Sequence, residues 1–371
     1  MPRALGIVTP SGNNMRVHGM DHFRPISAFS FLGRYRIVDF PVSNMSNSDI
    51  EHIQVYVSQN PRSLAEHLGT GRTYNINSKR GKLQLLFNQD SKVNEIYNTD
   101  IKAYTENMDL IELAHEPYVI ITPGYMIFKE DYGDLLKEHI ASGADVTLLY
   151  HKVDNADKTF RNCRTVALNR QKGIKSIDWN DGSVPDANIF MDTYVLSREL
   201  FIKLIHKAQK ISSVYRLVDI INEEIDDLDI RGISHKGFFS AVTDFKSYYE
   251  ANLELLDFDK ARDLFTDDWP IYTVTTDACP VRYVKGSKVK NSVVANGCVI
   301  EGTVENSVIG RGVEIRKGAY VKDCVILGHA EIGEGVRVEC QVVDKWAKVL
   351  NVKKLIATPD DPGYVMRGDT L

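Results

Sequence analysis

Five cysteines (Cys163, Cys279, Cys298, Cys324 and Cys340) are spread along the chain with no C-x-x-C pair, so neither a disulfide framework nor a zinc-ligand spacing is present. They read as buried thiols of a protein kept in a reducing compartment. Excess positive charge is also missing. The formal net charge is −5, which excludes general attraction to nucleic acid, so an anionic small ligand needs a local basic cluster. No apolar run reaches the roughly 18 residues of a membrane span, and the start, MPRALGIVTP, is too short an apolar run for a signal peptide. A cytoplasmic chain without membrane contact is expected. One scarcity is local. ALGIV (4–8) reads as a buried strand running into TPSGNNMRV, a strand-end loop with the single glycine Gly12, whereas phosphate-holding loops are usually glycine-rich.

What is present fits two domains: 371 residues, 43% hydrophobic and 26% charged. Up to about residue 260, apolar runs such as IQVYVS (53–58), YVIIT (118–122) and VTLLY (146–150) alternate with helical patterns. PRSLAEHLG (61–69) and DYGDLLKEHIASG (131–143) each end on a glycine, and LSRELFIKLIHKAQ (196–209) and FKSYYEANLELL (245–256) are similar. The alternation predicts an α/β domain with a mostly parallel sheet, whose ligands sit outside the carboxyl ends of the strands.

After about residue 280 the period changes. Ile309, Ile315, Val321 and Leu327 are six apart; Val294 with Ile300 and Ile332 with Val338 repeat the step, with glycines between. That spacing predicts a short parallel β-helix of three or four coils, which must pack on the first domain or on another subunit. The expected division is an α/β domain over 1–262, a linker over 263–285 and the β-helix over 286–371.

Chemistry concentrates in HFRPISAFSFLGRYRIVDFPVSNMSNSDI (22–50), which holds Arg24, Arg34 and Arg36, then Asp39, Ser43, Asn44 and Asn47. Three arginines near a strand end either clamp a phosphate or stand as solvated surface charges. RTYNINSKRGK (72–82) adds Arg72, Lys79, Arg80 and Lys82. Two basic loops on a net-acidic chain favour an anion site.

The stretch GRYRIVDFPVSNMSNSDI resembles the G-K-Y-R-I-I-D-F-x-L-S-N-x-x-N-S-G-I signature of glucose-1-phosphate adenylyltransferases. The likeness continues through RSLAEHL (62–68), SYYEANL (247–253) and WPIYT (269–273) and covers nearly the whole chain. It implies a Rossmann-like nucleotidyltransferase domain followed by a left-handed β-helix. It also implies a family reaction joining ATP and glucose 1-phosphate into ADP-glucose and pyrophosphate with Mg2+, for bacterial glycogen.

Departures fall where the family reacts. The G-G-x-G-T-R-L loop is absent from TPSGNNMRV, and Ile26 stands where the R-A-K-P lysine belongs. The G-T-A-D-A motif falls on Thr99–Ala103 without its glycine. Tyr125 replaces the metal aspartate of G-D-H-x-Y, and Ala241 replaces a second one. Phe190, Met191 and Asp192 stand in the sugar-contacting S-M-G, with Phe for Ser and Asp for Gly. Asp131 and Asp244 are nearby acids, but each reads as the N-cap of the helix it precedes. Since nucleotidyl transfer depends on held phosphates and cationic stabilisation, these losses predict negligible turnover.

Correlated loss on an intact scaffold resembles the family's non-catalytic D-type subunits of Gram-positive bacteria, which share the arginine-rich R-x-x-x-S-x-x-F-x-G-R-Y-R form of the early motif. The resemblance implies a regulatory subunit without metal or cofactor of its own, in a heterotetramer with a homologous catalytic subunit that carries Mg2+. It also implies a phosphorylated-metabolite effector near Arg24, Arg34 and Arg36. An active adenylyltransferase with a degenerate loop is the alternative. A hexapeptide-repeat acyltransferase would rest on His329, which a β-helix turn explains equally.

Overall fold

The computed structural model describes residues 3–10, 15–17, 19–57, 60–77, 79, 81–87 and 99–371. The loop Ser11–Asn14, where a phosphate loop was sought, lies outside the described residues. At the centre of the first domain the strand Ala4–Thr9 pairs in parallel with His52–Val57 on one side and Tyr118–Pro123 on the other. Lys82–Phe87 extends the parallel edge. The long strand Ala187–Ser197 then runs antiparallel to both Tyr118–Pro123 and Val146–Val153, with Ile230–Ser234 parallel to the latter. Leu5, Ile7, Val119 and Ile121 point to one face of the sheet and Val8 and Ile120 to the other, each into its own apolar core. Helix ends follow local chemistry. Asp131 caps Tyr132–Ser142 by accepting from Gly133 and Asp134, and Asp244 caps Phe245–Glu254 by accepting from Ser247.

The second domain is a parallel β-helix of three five-stranded sheets. Ile300, Ile315 and Ile332 stack through successive rungs, as do Val304, Val321 and Val338. It therefore has five rungs, more than the three or four expected from the periodicity. The outermost strands, Arg282–Tyr283, Lys288–Lys290 and Lys354–Ile356, carry little buried apolar surface, so their sequence hides the repeat. Ala319 backs onto Gly302, where a Cβ would lie 2.3 Å from the Ala319 carbonyl oxygen, so only glycine fits that corner.

The solenoid packs on the first domain. Val308, Val325 and Val342 enter the same apolar cluster as Phe29, Tyr248 and Tyr249 of that domain. Tyr249 donates its hydroxyl to the Asp323 carbonyl at 2.7 Å, and Phe245 meets the edge of Tyr364 at 5.6 Å. The connecting segment is a strap bonded to the first domain. Trp269 Nε1 donates to Asn44 Oδ1 at 2.9 Å, the Tyr272 amide donates to Ser43 Oγ at 2.9 Å, and Asn47 Nδ2 donates to the Pro270 carbonyl at 3.0 Å.

Inside this interface lies a charge pair. Arg24 Nη2 donates to both oxygens of Asp344, at 2.6 and 2.7 Å, and Tyr364 adds a hydroxyl at 2.8 Å. Arg24 is 3% exposed and Asp344 is 0% exposed. Removing one member of such a pair strands the other in a low-dielectric interior. Arg24→Ala is therefore expected to lose about 3–5 kcal/mol of stability in urea unfolding, and Arg24→Met with Asp344→Leu much less. A loss below about 1 kcal/mol for the single change would show that the pair does not join the domains.

Candidate functional site

Two cavities bear on function. The first opens at the carboxyl ends of Ala4–Thr9 and Tyr118–Pro123, where an α/β sheet binds its ligand. It measures about 70 Å³, far below the roughly 300–1,000 Å³ of a site for an organic ligand. Tyr125 seals it. The ring is 2% exposed, and its hydroxyl donates to Asp192 Oδ2. Burial pushes the Tyr125 phenol well up and raises Asp192 too, while Arg164 and the tyrosine hydroxyl oppose the rise in Asp192. Asp192 sits at φ 43° beside the register shift between Phe190 and Thr193, a left-handed position that glycine adopts more easily.

The other residues picked from the sequence divide cleanly. Of Phe190, Met191 and Asp192, the aspartate alone lines this cavity. Phe190 and Met191 are fully buried in the two cores, Phe190 edge-on to Tyr194 at 5.0 Å. Ile26 is buried in the turn Ile26–Ala28. Ala241 is buried in a two-stranded antiparallel sheet opposite Met126, and the next amide, of Val242, donates to the Tyr125 carbonyl at 2.9 Å. Positions 125 and 241 are thus neighbours across this strand pair, and neither carries a carboxylate.

The two acids at this cavity do not fit Mg2+. Asp192 is bonded to Tyr125. Asp100 accepts from the backbone amides of Ile101 and Leu217, and burial pushes it up to about 6. Among the described residues, no cluster of three or more His, Cys, Asp or Glu side chains is placed to hold a metal ion.

The second cavity, of about 660 Å³, lies between the two domains. The hairpin Ser30–Phe31/Tyr35–Arg36 and the helix Arg62–Leu68 form one wall, and rungs of the β-helix form the other. Gly33 turns the hairpin at φ 71°, where a Cβ would stand 2.8 Å from the Ile309 carbonyl oxygen. The glycine of the GRYR motif is therefore needed for the two domains to meet. Beneath the hairpin, fully buried Asp39 accepts from the Arg36 amide at 2.8 Å and from His67 Nε2 and the Tyr74 hydroxyl at 2.6 Å each.

Arg24, Arg34 and Arg36 all line this cavity, as do Arg62, Arg311, Lys345 and Arg367. Among its lining side chains the one carboxylate is Glu66, bonded to Arg62 at 2.9 Å. Three buried polar atoms here lack a hydrogen-bond partner: Arg24 Nε, Arg311 Nε and Ser63 Oγ. Unpaired donors among crowded cations form a cradle for an anion. Arg24 supplies only part of its guanidinium, because Asp344 holds the rest. Arg72 and Lys79 are not brought to this cavity: both are exposed and neither lines it, and Arg80 lies outside the described residues. Arg311, Lys345 and Arg367 were missed because they lie about 280 to 340 positions further along and converge only through the fold. His329, stacked flat on Trp346 at 4.2 Å, belongs to the rim of the same cavity.

A nucleotidyltransferase-type α/β domain carrying a β-helix, with a tyrosine–aspartate pair at its strand end, is the class these features define. Residues 5–160 match the nucleotidyl transferase family model, and 280–356 match the GlmU-like C-terminal hexapeptide model. The glycogen biosynthesis protein GlgD of Geobacillus stearothermophilus is 30% identical over 86% of this chain and 83% of its own length. GlgD of Bacillus subtilis is 26% identical over 98% and 96%. A glucose-1-phosphate adenylyltransferase of Clostridium perfringens is 29% identical over 82% and 78%. The chain belongs to the GlgD-type branch of the glucose-1-phosphate adenylyltransferase family.

Lys345 makes the cationic cavity responsive to pH. Burial, with Arg36 and Arg24 nearby, pushes its ammonium down to about 7. It is charged below that pH and neutral above it, whereas the unfolded chain keeps it charged to about pH 10. The free chain therefore gains stability from this group as pH rises from about 7 to 10, and a bound anion gains most below 7. The upward melting shift given by sulfate, whose own charge is constant over this range, should be larger near pH 6 than near pH 8. Lys345→Met should remove that difference. An equal shift at both pH values in the unaltered chain would count against the assignment.

Proposed function

We propose that this chain is a regulatory, catalytically silent subunit of a glucose-1-phosphate adenylyltransferase in bacterial glycogen synthesis. It assembles in the cytoplasm with a homologous catalytic subunit, as a heterotetramer, and changes that subunit's response to a phosphorylated metabolite. Mg2+ and nucleotidyl transfer belong to the catalytic partner. The observation that carries this reading is the Tyr125 phenol bonded to Asp192, filling the place where the reaction needs a metal carboxylate and an open strand end.

The scaffold around that place is kept. The sheet and the strap remain ordered by Ser43, Asn44 and Asn47, so the losses bear on chemistry more than on folding. The cationic cavity supports the regulatory half of the proposal. Its two walls come from different domains, so an anion held by Arg34 and Arg311 changes how firmly the domains dock. Among the described residues, no helix is long and apolar enough to cross a membrane, in keeping with a cytoplasmic place.

Purified alone with ATP, glucose 1-phosphate and Mg2+, the chain is expected to form no ADP-glucose above background. Co-expressed with the catalytic subunit, it is expected to co-purify and to alter activation by sugar phosphates. Robust turnover by the isolated chain would overturn the reading in favour of an active adenylyltransferase. Arg34→Ala with Arg311→Ala is expected to weaken anion binding by at least about tenfold while the complex still assembles. An unchanged effector titration would remove the cavity from the mechanism.

A further inference from the structure

A third cavity, of about 260 Å³, opens where the strand Val146–Val153 ends against the strand Phe239–Ala241 and the helix Phe245–Glu254. It shares no described lining residue with the strand-end cavity or with the cationic cavity. Its apolar side is aromatic. Phe160 lies nearly parallel to Phe239, with centroids 5.4 Å apart and planes at 15°, and His151 packs on Phe239 at 5.1 Å.

Its polar lining is acidic where that of the cationic cavity is basic: Asp154, Glu250 and Glu254 line it with Lys152. Glu250 and Glu254 are each paired with a lysine outside the lining, Lys246 and Lys260, and keep further lone pairs able to accept. His151 Nδ1 is buried without a hydrogen-bond partner, and burial beside His235 keeps the ring neutral by pushing it down to about 4. An unpaired ring nitrogen is costly unless a ligand or water meets it. The wall is set in advance. Phe160 holds φ 56°, rare for a bulky residue, while Asn180 Nδ2 ties the carbonyls of Ala156, Thr159 and Phe160.

We infer that this cavity binds an uncharged hexose ring, either free or as the end unit of a glucan chain. An aromatic wall takes the C–H face of a sugar, and carboxylates accept from its hydroxyls. The size suits one ring, since it falls just below the roughly 300 Å³ at which sites for larger organic ligands begin. Among its described lining residues no arginine stands to hold a phosphate, which separates this ligand from the anion of the other cavity. The inference does not rest on the regulatory reading, and its test involves no catalytic partner.

The test is hydrogen exchange on the full chain titrated with glucose, maltoheptaose and glucose 1-phosphate. Glucose or maltoheptaose is expected to protect residues 150–160 and 247–254, saturating with a Kd of about 1 mM. Protection by glucose assigns a free sugar as ligand, and protection by maltoheptaose alone assigns a chain end. Glu250→Lys, on an exposed helix face, is expected to weaken this binding by at least about tenfold with an unchanged melting temperature, and Arg34→Ala to leave it intact. Phe160→Ala is a second variant with the same expected loss, read only if its melting curve stays cooperative. No protection by either neutral sugar, protection that survives Glu250→Lys, or equal protection by glucose 1-phosphate would overturn the assignment.

Discussion

The buried pair of Arg24 and Asp344 is the constraint on which the arrangement of this molecule depends. Two charges removed from water are tolerable only when they meet in good geometry and their remaining valences are filled. Here both carboxylate oxygens accept from one guanidinium, the Tyr364 hydroxyl adds a third bond, and the Lys345 amide adds a fourth. Because the partners lie 320 positions apart, the pair forms only when the solenoid sits on the α/β domain in one register. The apolar contacts of Val308, Val325 and Val342 tolerate sliding better than this pair does. Burial supplies the attraction, and the ion pair supplies the register.

That register places Arg34 and Arg36 opposite Arg311, Lys345 and Arg367. Cations brought this close repel one another, and the downward displacement of Arg36, Arg311 and Lys345 follows from burial with like charges nearby. The strand-end site shows the reverse economy. There Asp192 accepts from Tyr125 and Asp100 from two backbone amides, around a space of about 70 Å³. The cavity at the domain boundary is larger and crowded with like charge, so an anion has far more to gain there.

Much of this was legible in the sequence. Apolar alternation marked the sheet, the six-residue step marked the β-helix, and Asp131 and Asp244 read correctly as caps because an N-cap is a local device. Substitution of reacting positions was equally plain at Tyr125 and Ala241. Less legible was what the retained motif does. Ser43, Asn44 and Asn47 looked like site residues, yet they bond the strap at Trp269, Pro270 and Tyr272. Two stretches of family likeness more than 220 positions apart are thus one structural joint. Sequence proximity also misled at Arg72 and Lys79, which share a basic run but no cavity with Arg34. The convergence of Arg311, Lys345 and Arg367 carries no local signal, because each sits at a solenoid turn or tail whose period only the fold reveals.

The joint also explains how a family scaffold takes substitutions at positions 26, 125 and 241 without losing its shape. Asp39 binds three segments at once through Arg36, His67 and Tyr74, and Asn44 bridges the Phe128 carbonyl and the Trp269 indole. None of these bonds passes through positions 26, 125 or 241. A bulky phenol at 125 is accommodated because the left-handed turn at Asp192 presents a carboxylate to its hydroxyl, which spares the interior an unpaired polar group. The replacement is therefore a packed and bonded solution, and reverting position 125 alone would strand the Asp192 carboxylate. The loss of a carboxylate at position 125 and the integrity of the fold are coupled at this one contact, and the larger, cation-lined space of the chain lies at the domain boundary.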